Sequence, residues 1–148
     1  MKFLLLLLAT IGIPALAHAD AWHTNYNRAR ARAKAENKPV LMYFTGSDFC
    51  GYCKKLDREA LDQRAFENYA AQNLVLLKLD FPARKPQSRQ EREQNEVLKM
   101  KYRVAGFPTL ILLNPNGSPA GEVVYRRGGP RPLIAQIEKT LRRSQPRW

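Results

Sequence analysis

Both cysteines of the chain fall in one tetrapeptide, Cys50-Gly51-Tyr52-Cys53. Two intervening residues let the sulfurs close a small ring within one helical turn. The pair follows a compact apolar run and a turn, and a helix is expected to begin at Cys50. A helix start presents unpaired N–H groups and a partial positive charge, which favour thiolate over thiol. Cys50 is therefore expected to have the lower pKa. Cys53, one turn further in and shielded, can attack a mixed disulfide formed on Cys50. That describes an attacking thiol and a resolving thiol in disulfide exchange. Two other readings stand beside it. A purely structural disulfide would close a loop so short that it constrains the unfolded chain very little. Half of a zinc site would need a second chain to complete it.

Other chemistries have little to work with. The 148 residues favour one ordinary domain, and 45% hydrophobic residues are enough for a core. Two cysteines exclude a disulfide-stapled mini-protein. The chain opens with Lys2, an uncharged apolar run from Phe3 to Ala17, and then Ala17-His18-Ala19 with small residues where a signal peptidase reads. The run is shorter than the roughly 20 apolar residues of a membrane span. Residues 1–19 are read as a secretory signal peptide and residues 20–148 as the domain. Cleavage after Ala19 leaves about 129 residues and removes His18, one of two histidines. His23 alone, near the new start, argues against Ser-His or Cys-His hydrolysis. Export also brings the cysteines into an oxidising compartment, where they can pair.

The elements that must position the pair are legible in outline. Ala21 to His23 reads as a short edge strand. Tyr26 to Glu36 reads as a helix, capped by Thr24 or Asn25 and ended at Lys38-Pro39. Val40 to Thr45 is a buried strand. The helix from Cys50 is expected to reach about Glu59. Asp62 would cap another, ending near Gln72. Leu74 to Leu79 is a second buried strand, and Phe81 to Gln87 a loop. Ser88 and Glu91 form a capping box for a helix to about Tyr102. Thr109 to Leu113 is a third strand, paired through an Asn114-Pro115-Asn116-Gly117 turn with Glu122 to Tyr125. Leu133, Ile134, Ile137 and Leu141 mark a last amphipathic helix. Strands alternating with helices predict an α/β fold, a parallel-rich sheet covered on both faces.

A second motif, Gly106-Phe107-Pro108-Thr109, directly precedes the third strand. Taken alone it is a rigid strand start. Together with Lys38-Pro39-Val40-Leu41 and Phe44-Thr45-Gly46-Ser47-Asp48-Phe49-Cys50-Gly51-Tyr52-Cys53, it resembles the thioredoxin superfamily. The likeness is to secreted bacterial thioredoxin-like proteins, and it spans about Trp22 to Leu141. It implies a thioredoxin fold: a central mixed β-sheet of about five strands flanked by four or five helices. It implies Cys50 as attacking and Cys53 as resolving thiol, and a cis Pro108 beside the disulfide. Phe49, Phe107 and Pro108 would then hold the substrate strand, and the location would be the bacterial periplasm.

Departures from the family pattern also carry information. Phe49 stands where many thioredoxins have Trp, and Gly51-Tyr52 where many have Gly-Pro. Phe44 occupies the place of a buried proton-relaying acid on the preceding strand. Lys78 matches a lysine often paired with that acid. Glu59 and Asp48 are the nearby acids left for a proton relay.

Charge is unevenly spread. The chain holds 25 Lys+Arg against 13 Asp+Glu, a net +12. Residues 39–81, which include both cysteines, hold five bases and six acids, whereas residues 82–103 hold seven bases and three acids. Solvated helix faces are the plain account. An acidic protein or an anionic membrane surface is the alternative partner. No nucleic acid is expected, because the protein is exported and aromatics are sparse among the basic runs.

The resulting expectation is an exported thiol–disulfide oxidoreductase. It would act on proteins with thiols or disulfides, in the reducing direction, with an unidentified redox donor or acceptor. The Cys50–Cys53 disulfide is the redox centre, and no other cofactor is expected. An oxidase or isomerase, or a non-catalytic binding module for an acidic partner, are the alternatives.

Overall fold

Apolar side chains run without a break from Val40 to Phe44, Thr45 follows, and the strand they form is buried along its whole length. It lies in a structure, obtained as a computed structural model, that describes residues 22–144. The signal-peptide reading of residues 1–19 falls outside the described residues, as does the end of the basic tail. The order is β1 (Trp22–His23), α1 (Tyr26–Glu36), β2 (Val40–Thr45), α2 (Gly51–Leu56), α3 (Arg64–Asn73), β3 (Val75–Asp80), α4 (Arg89–Lys101), β4 (Thr109–Leu113), β5 (Pro119–Val123) and α5 (Pro130–Ser144). One π-helical turn, Asp57–Leu61, prolongs α2.

The five strands form one mixed sheet in the order β1-β3-β2-β4-β5. β3 lies parallel to β1 and β2, and β4 runs antiparallel to β2 and β5. The expected thioredoxin fold, five strands flanked by five helices, is what forms. Strand alternation divides the core in two. Leu41 and Tyr43 face Cys53, Leu56, Phe66, Leu133 and Ile137, on the side of α2, α3 and α5. Val40, Met42 and Phe44 face Ala29, Ala33 and Leu98, on the side of α1 and α4. A strand covered on both faces has no room for polar alternation, which is why its sequence reads as one apolar block.

Local chemistry sets the ends. Asn25 caps α1, its side chain accepting the Arg28 N–H at 2.9 Å. Asn37 closes the helix in the left-handed conformation, φ 50°, ahead of Pro39. Ser88 accepts the Glu91 N–H at 3.2 Å to start α4. Two expectations shift. Asp62 does not cap α3; its N–H is taken by the Asp57 carbonyl at 2.8 Å in the π turn, and Gln63 stands at the cap position. The last strand is Pro119–Val123, not Glu122–Tyr125. The turn is tighter than the sequence suggested: Asn114 N–H already bonds the Ser118 carbonyl at 2.8 Å, so pairing resumes at once. Gly117, with φ 94°, supplies the conformation that this turn requires.

Leu77 lies at the centre of β3 with no exposed surface. Leu77→Ala should lower unfolding free energy by about 2–5 kcal/mol in urea denaturation. A loss under about 1 kcal/mol would contradict its burial.

Candidate active site

β2 delivers the chain to the surface, and Gly46 to Phe49 turn it into α2. The Cys50 N–H bonds the Gly46 carbonyl at 2.9 Å. Cys50 is the N-cap residue, with extended backbone, and its sulfur accepts the Cys53 N–H at 3.2 Å. A sulfur takes the place that an oxygen holds in an ordinary cap, so a free amide of the first helical turn faces it. The two cysteines are joined as a disulfide, with Cα atoms 5.2 Å apart. Cys50 keeps 9% of its surface exposed and Cys53 keeps none. Phe49 precedes the pair and Tyr52 lies between its members; they are 54% and 77% exposed. A Cβ on Gly46 would come within 2.5 Å of the Phe49 ring, so the absence of a side chain there lets that ring lie over the turn.

The second motif meets this end of the sheet. The Phe107–Pro108 peptide is cis. Antiparallel pairing places Thr109 opposite Phe44, at the end of β2 that leads to Cys50. Phe107 packs against both cores, including the one that contains the cysteines. Its ring stacks on Phe81 at 4.9 Å between centroids. Phe81 in turn stacks on Phe44 at 6.4 Å. Phe44 thus occupies the place of the family's acid and uses it for aromatic packing.

The acids divide by environment. Asp48 is partly exposed, and its carboxylate accepts the N–H groups of Ala83, Arg84 and Lys85 at 2.9, 2.7 and 3.0 Å. Those amides, Ala83 first, hold its pKa down at about 2. Asp80 acts from the other side: its carboxylate accepts the Ser47 N–H at 2.9 Å and the Ser47 hydroxyl at 2.6 Å. Together the two carboxylates tie the turn before Cys50 to the segment after β3. Glu59 accepts the Tyr125 hydroxyl at 2.9 Å and pairs with Lys55 at 3.7 Å. Both Asp48 and Glu59 are thereby engaged in holding other segments.

The acid that sequence reasoning missed is Asp57. It lies four residues after Cys53, one turn along the same helix, and its N–H bonds the Cys53 carbonyl. That carbonyl also accepts the Tyr43 hydroxyl at 3.3 Å. Asp57 is half-buried, and burial raises its pKa above the ordinary carboxylate value. The Tyr43 hydroxyl and the Lys78 ammonium oppose that rise. Lys78 sits opposite Tyr43 across the β2–β3 pair, its ammonium 5.9 Å from the tyrosine ring. Lys78 therefore does have an acid nearby, supplied by the helix and not by the strand. The signal was present as the Cys53-to-Asp57 spacing, which puts both residues on one helix face. Among the described residues, no cluster of three or more His, Cys, Asp and Glu could hold a metal ion.

Comparisons with known proteins agree with this geometry. The thioredoxin-like domain family matches residues 26–129. The disulfide bond reductase DsbH of Chlamydia pneumoniae is 29% identical over 127 residues, covering 86% of this chain and 76% of that protein. The thioredoxin-related protein DsbJ of the same organism is 29% identical over 160 residues, covering 99% of this chain and 46% of DsbJ. A solved structure of a DsbH oxidoreductase matches with a TM-score of 0.77 at 30% identity, covering 82% of this chain and 83% of that one.

Amide hydrogen bonds favour the ionised form of Asp48, so its folded pKa lies below the unfolded one. Its contribution is complete above the unfolded value of about 3.9 and is lost as pH falls through about 2. The amide NMR signals of Ala83, Arg84 and Lys85 should titrate with a midpoint near 2. A midpoint near 3.9 would show that the carboxylate does not hold them.

Proposed function

The chain belongs to the thioredoxin-like domain family, and from that premise we propose that it is an exported reductase of protein disulfides. A Cys50–Cys53 disulfide at a helix start in a thioredoxin fold makes it a thiol–disulfide oxidoreductase. The observation that carries the mechanism is the unequal exposure of the two cysteines, which leaves Cys50 alone open to attack from solvent.

In the reduced enzyme, Cys50 ionises first, because the Cys53 amide and the start of α2 face its sulfur. Its thiolate attacks one sulfur of the substrate disulfide. An S–S bond forms to Cys50, the substrate bond breaks, and one substrate thiolate leaves and takes a proton. Cys53 then loses its proton to the Asp57 carboxylate and attacks the Cys50 sulfur. The second substrate thiolate leaves, and the enzyme ends as the disulfide. Two electrons have passed from the dithiol to the substrate, and an external dithiol donor must return them. Burial suits Asp57 to this role, since a raised carboxylate pKa narrows the gap to a thiol. Phe49, the Phe107 backbone and Pro108 form the platform on which the substrate strand would lie.

Two considerations favour reduction over oxidation. Gly51-Tyr52 places no histidine or cation between the cysteines to stabilise the thiolate further. The similar Chlamydia protein carries the name of a reductase. The pattern of residues 1–19 supports export, and the bacterial relatives support the periplasm as the destination, with the domain starting near residue 20.

Cys50→Ser should abolish reduction of insulin disulfides, and Cys53→Ser should accumulate the mixed disulfide on Cys50. A reduction potential near about −270 mV is expected, and one near about −120 mV would overturn the reductive direction. Asp57→Asn should slow release of the mixed disulfide by roughly tenfold or more and remove one limb of its pH–rate profile. The same variant has a stability signature. The raised folded pKa of Asp57 means that its protonated form favours the fold, a contribution complete below about 3.9 and lost as pH rises through the folded pKa. Asp57→Asn cannot ionise. It should therefore melt above the parent at pH 7, with the difference closing toward pH 4. Equal release rates and equal melting at pH 7 would remove Asp57 from the mechanism.

A further inference from the structure

Between the segment after β3 and α4 the surface opens into a cleft of about 370 Å3 that the exchange chemistry does not use. Phe81, Pro82, Lys85, Gln87, Arg92 and Glu96 are among the residues that line it. Two links join it to the reaction centre. Asp48, two residues before Cys50, grips the amides of Ala83, Arg84 and Lys85. Phe81 stacks on Phe107, the residue before the cis proline, at 4.9 Å. A polypeptide laid along the Phe107 backbone would therefore carry its neighbouring side chains past the cleft.

Cations outnumber carboxylates in and around the cleft. Lys85 reaches the Ser47 hydroxyl at 3.4 Å, and Arg92 reaches the Gln87 carbonyl at 3.5 Å. Outside the lining, Lys99 lies over the Phe81 and Phe107 rings at 5.4 and 5.7 Å. Among the described residues, none of these three cations pairs with a carboxylate. Neutral partners orient their heads; the Asp80 carboxylate is held one hydrogen bond beyond Ser47 from Lys85 and makes no direct pair with it. Glu96 is the one carboxylate in the lining, against Lys85 and Arg92. The contrast with the stretch around the cysteines is sharp, since residues 39–81 hold more acids than bases.

We propose that this cleft is a subsite for a carboxylate side chain flanking the reactive cysteine, so that acidic segments are preferred substrates. The proposal rests on the reading that Cys50 exchanges with polypeptide disulfides. It adds a class of substrate to that reading: cysteines with Asp or Glu close by in sequence. A cleft admits one projecting side chain and orients it. Net charge alone would attract any anion without regard to its distance from the cysteine.

The test uses two peptides that differ only beside a disulfide-bonded cysteine, one with Asp and Glu, the other with Asn and Gln. Reduction of the acidic peptide should show a kcat/KM roughly three- to tenfold higher, as two partly exposed ion pairs allow. The ratio should fall to about one in Lys85→Gln/Arg92→Gln, by loss of the paired cations. It should invert toward a Lys-flanked peptide in Lys85→Glu/Arg92→Glu, a gain that a misfolded protein could not show. A ratio near one in the parent, with both peptides reduced, would overturn the subsite. So would a preference that persists in both double variants, which would place its origin in the charge of the whole chain. Binding to phosphatidylserine vesicles that is lost in the double variants, without any peptide preference, would assign the cleft to a membrane surface and likewise overturn the proposal. If neither peptide is reduced, the exchange reading itself fails and the subsite fails with it.

Discussion

Strand β2 must be apolar on both faces and paired on both edges, and it must still end at the surface on a reactive sulfur. β3 satisfies one edge and β4 the other. Both faces are closed by helices, α2, α3 and α5 on one side and α1 and α4 on the other. A strand so enclosed cannot shift register without moving every side chain into the wrong core. The place where it ends is therefore rigidly defined. Gly46 to Phe49 then make the turn, and Cys50 arrives at the first free amides of α2. The reactivity expected of that sulfur follows from this position more than from any one neighbouring side chain.

The acid placed near the cysteines follows from the same enclosure by a less obvious route. Thioredoxin-like chains often place an acid on the strand that leads to the cysteines. Here that place is filled by Phe44, which joins an aromatic stack with Phe81 and Phe107. The acid comes from the helix. Asp57 lies a turn beyond Cys53, facing Tyr43 and Lys78 from across the packed interface. Because it belongs to the same helix as the buried thiol, its spacing from that thiol is set by helix geometry. Burial that would penalise an isolated carboxylate is offset in part by the tyrosine hydroxyl and the lysine charge. Lys78 thus keeps a carboxylate for company although the strand no longer provides one.

Asp48 and Asp80 do a different job. They carry negative charge close to the reaction centre, yet each is bound to hydrogen-bond donors. Asp48 takes three consecutive amides of the segment after β3, and Asp80 takes the amide and hydroxyl of Ser47. The clamp they form joins the cysteine turn to the loop that carries Lys85. It thereby brings the basic loop against the edge of the site, a juxtaposition of segments more than 30 residues apart in sequence.

Sequence alone determined the apolar strands, most helix ends, the cysteine pair and the cis-proline motif. The strands and helix ends are set by local rules: burial periodicity, caps at Asn25 and Ser88, and a turn at Asn114–Gly117, whereas the cis bond at Pro108 was implied only by the family resemblance. It determined the end of the sheet at which chemistry occurs, because strand, turn and helix lie in one stretch of chain. The hairpin register was missed by a few residues, since a glycine at positive φ tightened the turn beyond what composition reveals. What tertiary structure decided is which partners each acid meets. Asp48, Asp57 and Glu59 all lie within ten residues of the cysteines, and nothing local distinguishes a clamp from a relay from a surface pair. Their partners come from the loop after β3, from strands β2 and β3, and from Tyr125. A carboxylate's role depends on its desolvation and on which donors face it, and both are fixed only when distant segments pack.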